Sequence, residues 1–221
     1  MLNYSAKKKK KNIIFTSGGS ESNNLAIKGT LGTYSNRGKH IIISSIEHAS
    51  VHNQAQRLEE EGFQVSYLSV DKNGFVNLDK LGELIRKDTI LVSIMHVNNE
   101  IGTIQDLKAI GNLIKEKNSN TIFHVDAVAS FGKLPMKISE WKADLVSVSG
   151  HKIHAPKGVG ALYIRDGLKL RSLVDGGSQE FGMRAGTENS IGIVGFGEAC
   201  KIINEDGLEM GLEHTKKLYN Y

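Results

Sequence analysis

A single cysteine, Cys200, in 221 residues rules out an internal disulfide, and no Cys/His grouping with zinc-like spacing accompanies it. Proline is nearly as scarce. Only Pro135 and Pro156 occur against 24 glycines, so long elements joined by glycine-bearing turns are expected. No apolar run approaches the roughly 18 residues of a spanning helix, and no signal-type stretch follows the lysine-rich start. These absences point to a cytoplasmic protein without a membrane partner. Charge of either sign is not in large excess: 28 Lys and Arg stand against 24 Asp and Glu, with much of the surplus in Lys7 to Lys11. No aromatic interleaving or basic helix face accompanies that run, so it reads as a solvated arm and nucleic acid is not an expected partner. The histidines, His40, His48, His96, His124, His151 and His154 among them, read as scattered, and no metal site is expected. What is present, 39% hydrophobic and 24% charged residues, can fill a sizeable core.

Short β-branched runs occur at 13–16, 40–45, 64–70, 90–97, 122–125, 144–149 and 159–164. Helical patterns lie between most of them, at 21–31, 49–61, 78–86 and 106–117, with another at 191–204 after the last run. Repetition of strand and helix implies right-handed crossovers and a parallel sheet covered on both faces. The step from 144–149 into 159–164 is too short for a crossover helix, so the last strand is expected to be antiparallel. The fold class is therefore α/β: three layers around a mainly parallel, seven-stranded sheet with one antiparallel strand. Residues 1–12 are assigned to a basic arm, 13–205 to one large domain and 206–221 to the start of a long helix.

Ligands of open α/β sheets bind outside the carboxyl ends of the strands. Those ends carry Ser17-Gly18-Gly19-Ser20, Glu47-His48, Asn98-Asn99-Glu100, Asp126 and Ser149-Gly150-His151-Lys152. Gly18-Gly19-Ser20, running into a helix, offers backbone N–H groups and a hydroxyl to an anion such as phosphate. The alternative is an ordinary glycine turn with Ser20 as the helix cap. Asp126 ends an apolar strand, where a carboxylate needs a cation, a solvated rim or a capping role. A protonated heteroaromatic nitrogen is one such cation. Lys152 can form an imine with an aldehyde, or be a plain surface charge. Its spacing from Ser149 also matches S-x-x-K acylases, but neither S-D-N nor K-T-G occurs in the chain. His48 can stack on a planar ring, or simply end a helix. Together these groups make the set that pyridoxal phosphate requires.

The stretches Phe15-Thr16-Ser17-Gly18-Gly19-Ser20-Glu21-Ser22-Asn23-Asn24, His96-Val97-Asn98-Asn99-Glu100-Ile101-Gly102, His124-Val125-Asp126-Ala127, Ser149-Gly150-His151-Lys152 and Arg184-Ala185-Gly186-Thr187-Glu188-Asn189 carry a resemblance. They resemble the cysteine desulfurases that feed iron–sulfur cluster and thio-tRNA assembly, in the class V aminotransferase group of fold-type I enzymes. The resemblance implies the large domain of those pyridoxal 5'-phosphate-dependent transferases. It gives Lys152 the covalent hold on the cofactor, Asp126 the ring nitrogen, His48 the stacking face and Asn99 the ring hydroxyl region. Gly19, Ser20, Ser149 and His151 would hold the phosphate, with Thr187 contributed across a homodimer interface. The implied substrate is L-cysteine, whose sulfur passes to an enzyme thiol as a persulfide and then to a sulfur-acceptor protein.

Departures from the family pattern accompany the resemblance. Where the family carries a glutamine soon after the strand-end aspartate, this chain has Val128-Ala129-Ser130. The family's N-terminal motif, its small domain and its nucleophilic cysteine loop have no counterpart in these 221 residues. Cys200 lies in a helical pattern and reads as a packed side chain. The alternatives are another class V enzyme, such as a selenocysteine lyase or aminotransferase, and a cofactor-domain remnant without catalysis.

Overall fold

The computed structural model describes residues 12–205, together with Glu213 and Lys217. The Lys7 to Lys11 run and the expected long helix from 206 therefore fall outside the described residues.

Strands β1 (Ile13–Thr16), β2 (His40–Ser44), β3 (Gln64–Leu68), β4 (Thr89–Ser93), β5 (Ile122–Asp126), β6 (Leu145–Ser149) and β7 (Gly160–Ile164) form one sheet in the order β1-β7-β6-β5-β4-β2-β3. The pairs β2 with β3, β2 with β4, β4 with β5 and β5 with β6 are parallel. Only β7 runs against its neighbours, pairing antiparallel with both β6 and β1. This is the mainly parallel sheet expected from the sequence, with the strand lacking a crossover helix as the reversed one.

Burial on both faces explains the unbroken apolar strands. On β2, Ile42 enters one core cluster, while Ile41 and Ile43 enter the other. The first cluster packs the sheet under α3 (Leu78–Leu84), α4 (Leu107–Lys117), α5 (Ile138–Trp141) and α6 (Ser190–Glu205), through Leu81, Ile110, Trp141 and Phe196. The second lies under α1 (Gly19–Tyr34) and α2 (Ala49–Glu60), through Leu25, Ile27, Val51 and Leu58. On β5, the two-residue period sends Phe123 and Val125 to the first cluster and Ile122 to the second. Asp126 therefore faces α1.

The main differences from the sequence reading lie at element ends. β4 stops at Ser93, not Val97, because Ile94 to Val97 leave the regular ladder to build the loop beside the strand ends. Single bonds, Ile94 N–H to His124 O at 3.1 Å and His96 N–H to Asp126 O at 2.9 Å, still tie that loop to β5. The short helix α5 has too few residues to show a helical period.

Candidate active site

The first turn is shaped by two glycines. Gly18 adopts φ 152°, a conformation closed to most side chains, and caps α1 without a side-chain acceptor. Ser20 is thus the second residue of the helix, not its cap, and the positive helix end remains available to an anion. Gly19 lets this turn press against the chain beyond β5: a Cβ there would lie 2.6 Å from Val128 Cγ2.

A cavity of about 270 Å³ opens at this edge of the sheet. Its wall contains Gly19, Ser20, His48, Asn99, Asp126, His151 and Lys152, all named from the sequence as site residues. These seven residues follow or end five strands, β1, β2, β4, β5 and β6, so the sheet order brings distant segments together. Ser149 is fully buried next to the cavity and pairs through Oγ with His151 Nδ1 at 2.8 Å. Thr187 is exposed and takes no part in the cavity of its own chain. Its loop is held by Arg184 Nε donating to Glu21 Oε1 at 2.8 Å and by Glu180 Oε2 accepting from Phe15 N–H at 2.9 Å.

Asp126 is 4% exposed. Its Oδ2 accepts from Asn23 Nδ2 at 2.7 Å and its Oδ1 from Val128 N–H at 2.9 Å. Both donors are neutral. Burial pushes the carboxyl above its ordinary range, although these donors and the charge of His48 pull the other way. A cationic nitrogen in the cavity would favour the carboxylate over the acid.

Asn23, Ser50, Met95, Val128 and Ala129 complete the wall and were not named from sequence as site residues. Asn23 is the connector. Its amide donates to Asp126 and, at 2.8 Å, to Ser50 Oγ, while its own Oδ1 is buried without a partner. Ser50 in turn meets His48 Nδ1 through both its N–H (3.0 Å) and its hydroxyl (2.8 Å). Because Nδ1 accepts the N–H of Ser50, the neutral ring carries its proton on Nε2. The available signal for Asn23 was an amide on the sheet-facing side of a helix whose neighbours Leu25 and Ala26 are buried.

The histidines need one correction: His48, the cap of α2, and His52 within it stand four apart, a spacing the scattered reading passed over. The His52 ring lies 5.5 Å from that of Tyr67. Among the described residues, no three His, Cys, Asp or Glu side chains assemble as a metal site. Cys200 is half-buried in a separate apolar cavity with Phe131, Met136 and Phe196, and burial pushes its thiol up. That cavity and the one around Asp126 share no wall residue.

The residues fit pyridoxal phosphate. Asp126 offers a buried carboxylate without a cation, Gly18 and Gly19 leave a helix end open to a phosphate, and Lys152 supplies an exposed amine to the same cavity.

The family described as Aminotransferase class-V matches residues 4–221. Cysteine desulfurase IscS of Dictyoglomus turgidum is 52% identical over 209 residues, covering 95% of this chain and 52% of the relative. The IscS of Photobacterium profundum is 50% identical over 208 residues, covering 93% and 51%. Among solved structures, a NifS-like protein superposes with a TM-score of 0.92 at 43% identity, covering 95% of this chain and 57% of the other. SspA in complex with cysteine gives 0.82 at 45% identity, covering 86% and 55%. The chain thus spans about half the length of the curated relatives it matches.

Proposed function

Because the chain belongs to the class-V aminotransferase family, we propose that the cavity around Asp126 is a pyridoxal 5'-phosphate site serving cysteine desulfuration. In that reaction L-cysteine and an enzyme thiol become L-alanine and a persulfide. The single observation carrying the reading is Asp126, a buried carboxylate held only by neutral donors in the cavity that Lys152 enters. IscS relatives near 50% identity support the choice of L-cysteine as substrate.

When bound, the cofactor supplies an electron sink for charge developing at the substrate α-carbon. Lys152 would hold it covalently through its amine. Asp126 pairs with the ring nitrogen and keeps a proton on it. His48, fixed by Ser50 with its proton on Nε2, would offer its ring face to the cofactor, and Asn99 would offer its amide to the ring hydroxyl. Gly19 and Ser20 at the α1 end, with the Ser149–His151 pair, hold the phosphate. Thr187, outside its own cavity, completes the phosphate site of a second copy in a homodimer.

Cys200 is not the sulfur-accepting thiol, since it lines a different, apolar cavity where burial disfavours the reactive thiolate. An acceptor protein then takes the sulfur from a thiol supplied elsewhere. Ala129 removes a donor where the family pattern has glutamine, leaving cofactor affinity weaker by the roughly 0.5–1.5 kcal/mol of one hydrogen bond.

The test is a spectral titration with pyridoxal phosphate. The chain acquires the visible absorption of a lysine-bound cofactor, and Asp126→Ala binds at least tenfold more weakly with altered ring protonation. An unchanged Asp126→Ala titration contradicts the assignment.

A further inference from the structure

Glu47 sits immediately before His48 and is buried to 8% exposure, yet none of the roles assigned above uses it. Its Oε1 accepts from Met95 N–H at 2.8 Å and from Ser44 Oγ at 2.5 Å. Its Oε2 is buried without a partner. The carboxyl group thus joins the turn that carries His48 to the segment that carries Met95 and Asn99, all of which line the cavity. Asn98 joins the same two segments, donating from Nδ2 to Ile46 O at 3.0 Å while its Oδ1 accepts from the N–H groups of Glu100 and Ile101.

An ionised group with one bare oxygen in this place is costly. A neutral acid keeps the same two acceptor bonds at Oε1 and carries its proton on Oε2. Burial pushes the carboxyl up to about 8, with the charge of Asp126 adding to the effect and the Ser44 and Met95 donors opposing it. Asp126 at the end of β5 is the charged group acting on it, and His48 follows it in the chain.

We propose that Glu47 is a positioning residue of the cofactor site, held as a neutral acid so that it ties the His48 turn to the Met95–Asn99 segment and adds no second negative charge beside Asp126. This rests on the pyridoxal phosphate reading for its role toward the cofactor, but not for its protonation. Glu47→Gln keeps the size, the acceptor and the neutral state, whereas Glu47→Ala removes the tie.

Two measurements on the full chain test it. Thermal unfolding without cofactor, followed from pH 5 to 9, loses stability between pH 6.5 and 8 in the parent, and Glu47→Gln flattens that decline. In a pyridoxal phosphate titration at pH 7, Glu47→Gln stays within about twofold of the parent and Glu47→Ala weakens binding at least tenfold. An equal decline in parent and Glu47→Gln overturns the neutral acid. Glu47→Gln binding as weakly as Glu47→Ala shows that a charge is needed, and Glu47→Ala binding as the parent does removes the positioning role. A parent that binds no pyridoxal phosphate sinks the cofactor reading and with it that role, while the unfolding series still decides the protonation state.

Discussion

At the scale of single residues, the polar groups inside the sheet carry most of the pH response. His124 is held between Ser93 and Ser147, His40 between Thr89 and Ser66, and His96 against Ser130. Burial lowers them to about 3 for His124 and about 4 for His40 and His96. Each is therefore neutral when folded and takes a proton when unfolded below its ordinary value of 6.5. Their contribution to stability is complete above pH 6.5 and is lost as pH falls through 4 and 3. Glu47 acts oppositely, because its raised carboxyl binds a proton in the folded state that the unfolded chain releases above 4.5. Three histidines outweigh the two raised carboxyls, Glu47 and Asp126, on the acid side, and Glu47 gives up its folded-state proton as pH rises toward 8. A stability maximum near pH 6.5 to 7 is expected from these groups in melting curves across pH. His124→Asn should flatten the acid limb. An acid limb as steep as the parent's in that variant would show that His124 titrates normally in the fold.

At the scale of elements, the strands were legible because β2, β4, β5 and β6 each carry three branched or aromatic apolar residues in five and end in a polar group. The candidate site was legible for a related reason: strand ends are fixed points in an open sheet, so residues such as Asp126 and His48 could be placed without knowing the packing. Asn23 and Ser50 were not legible, because their importance lies in a contact between α1 and α2 that no local pattern encodes. The same holds for the close approach of α4 to α5, where a Cβ on Gly111 would lie 1.8 Å from Trp141 O. Gly111→Ala must displace backbone there and should destabilise by about 1–3 kcal/mol, read as a lower urea midpoint at unchanged slope. Gly19→Ala meets the short β-branched side chain of Val128 instead of backbone, and Val128 lines the cavity, so much of its penalty falls there. It should weaken pyridoxal phosphate binding several-fold with a smaller change in that midpoint than Gly111→Ala. Equal stability loss in the two variants would show that the β1–α1 turn is a structural contact only.

At the scale of the molecule, helices lie on both faces of the sheet among the described residues, yet apolar side chains remain in the open on α6: Ile191 is 84% exposed and Val194 72%. They follow the loop that bears Thr187, which fits a face shared by two copies of the chain. Sedimentation should therefore find a dimer, and Val194→Glu should shift it toward monomer; a monomeric parent would remove the role given to Thr187. No helix among the described residues is long and apolar enough to cross a membrane. The central claim concerns one amine. Incubation of the chain with pyridoxal phosphate, reduction with borohydride and peptide mapping should find the cofactor mass on Lys152 at close to one per chain, and Lys152→Ala should abolish the visible band. Label spread over many surface lysines, or a band that survives Lys152→Ala, would contradict the account.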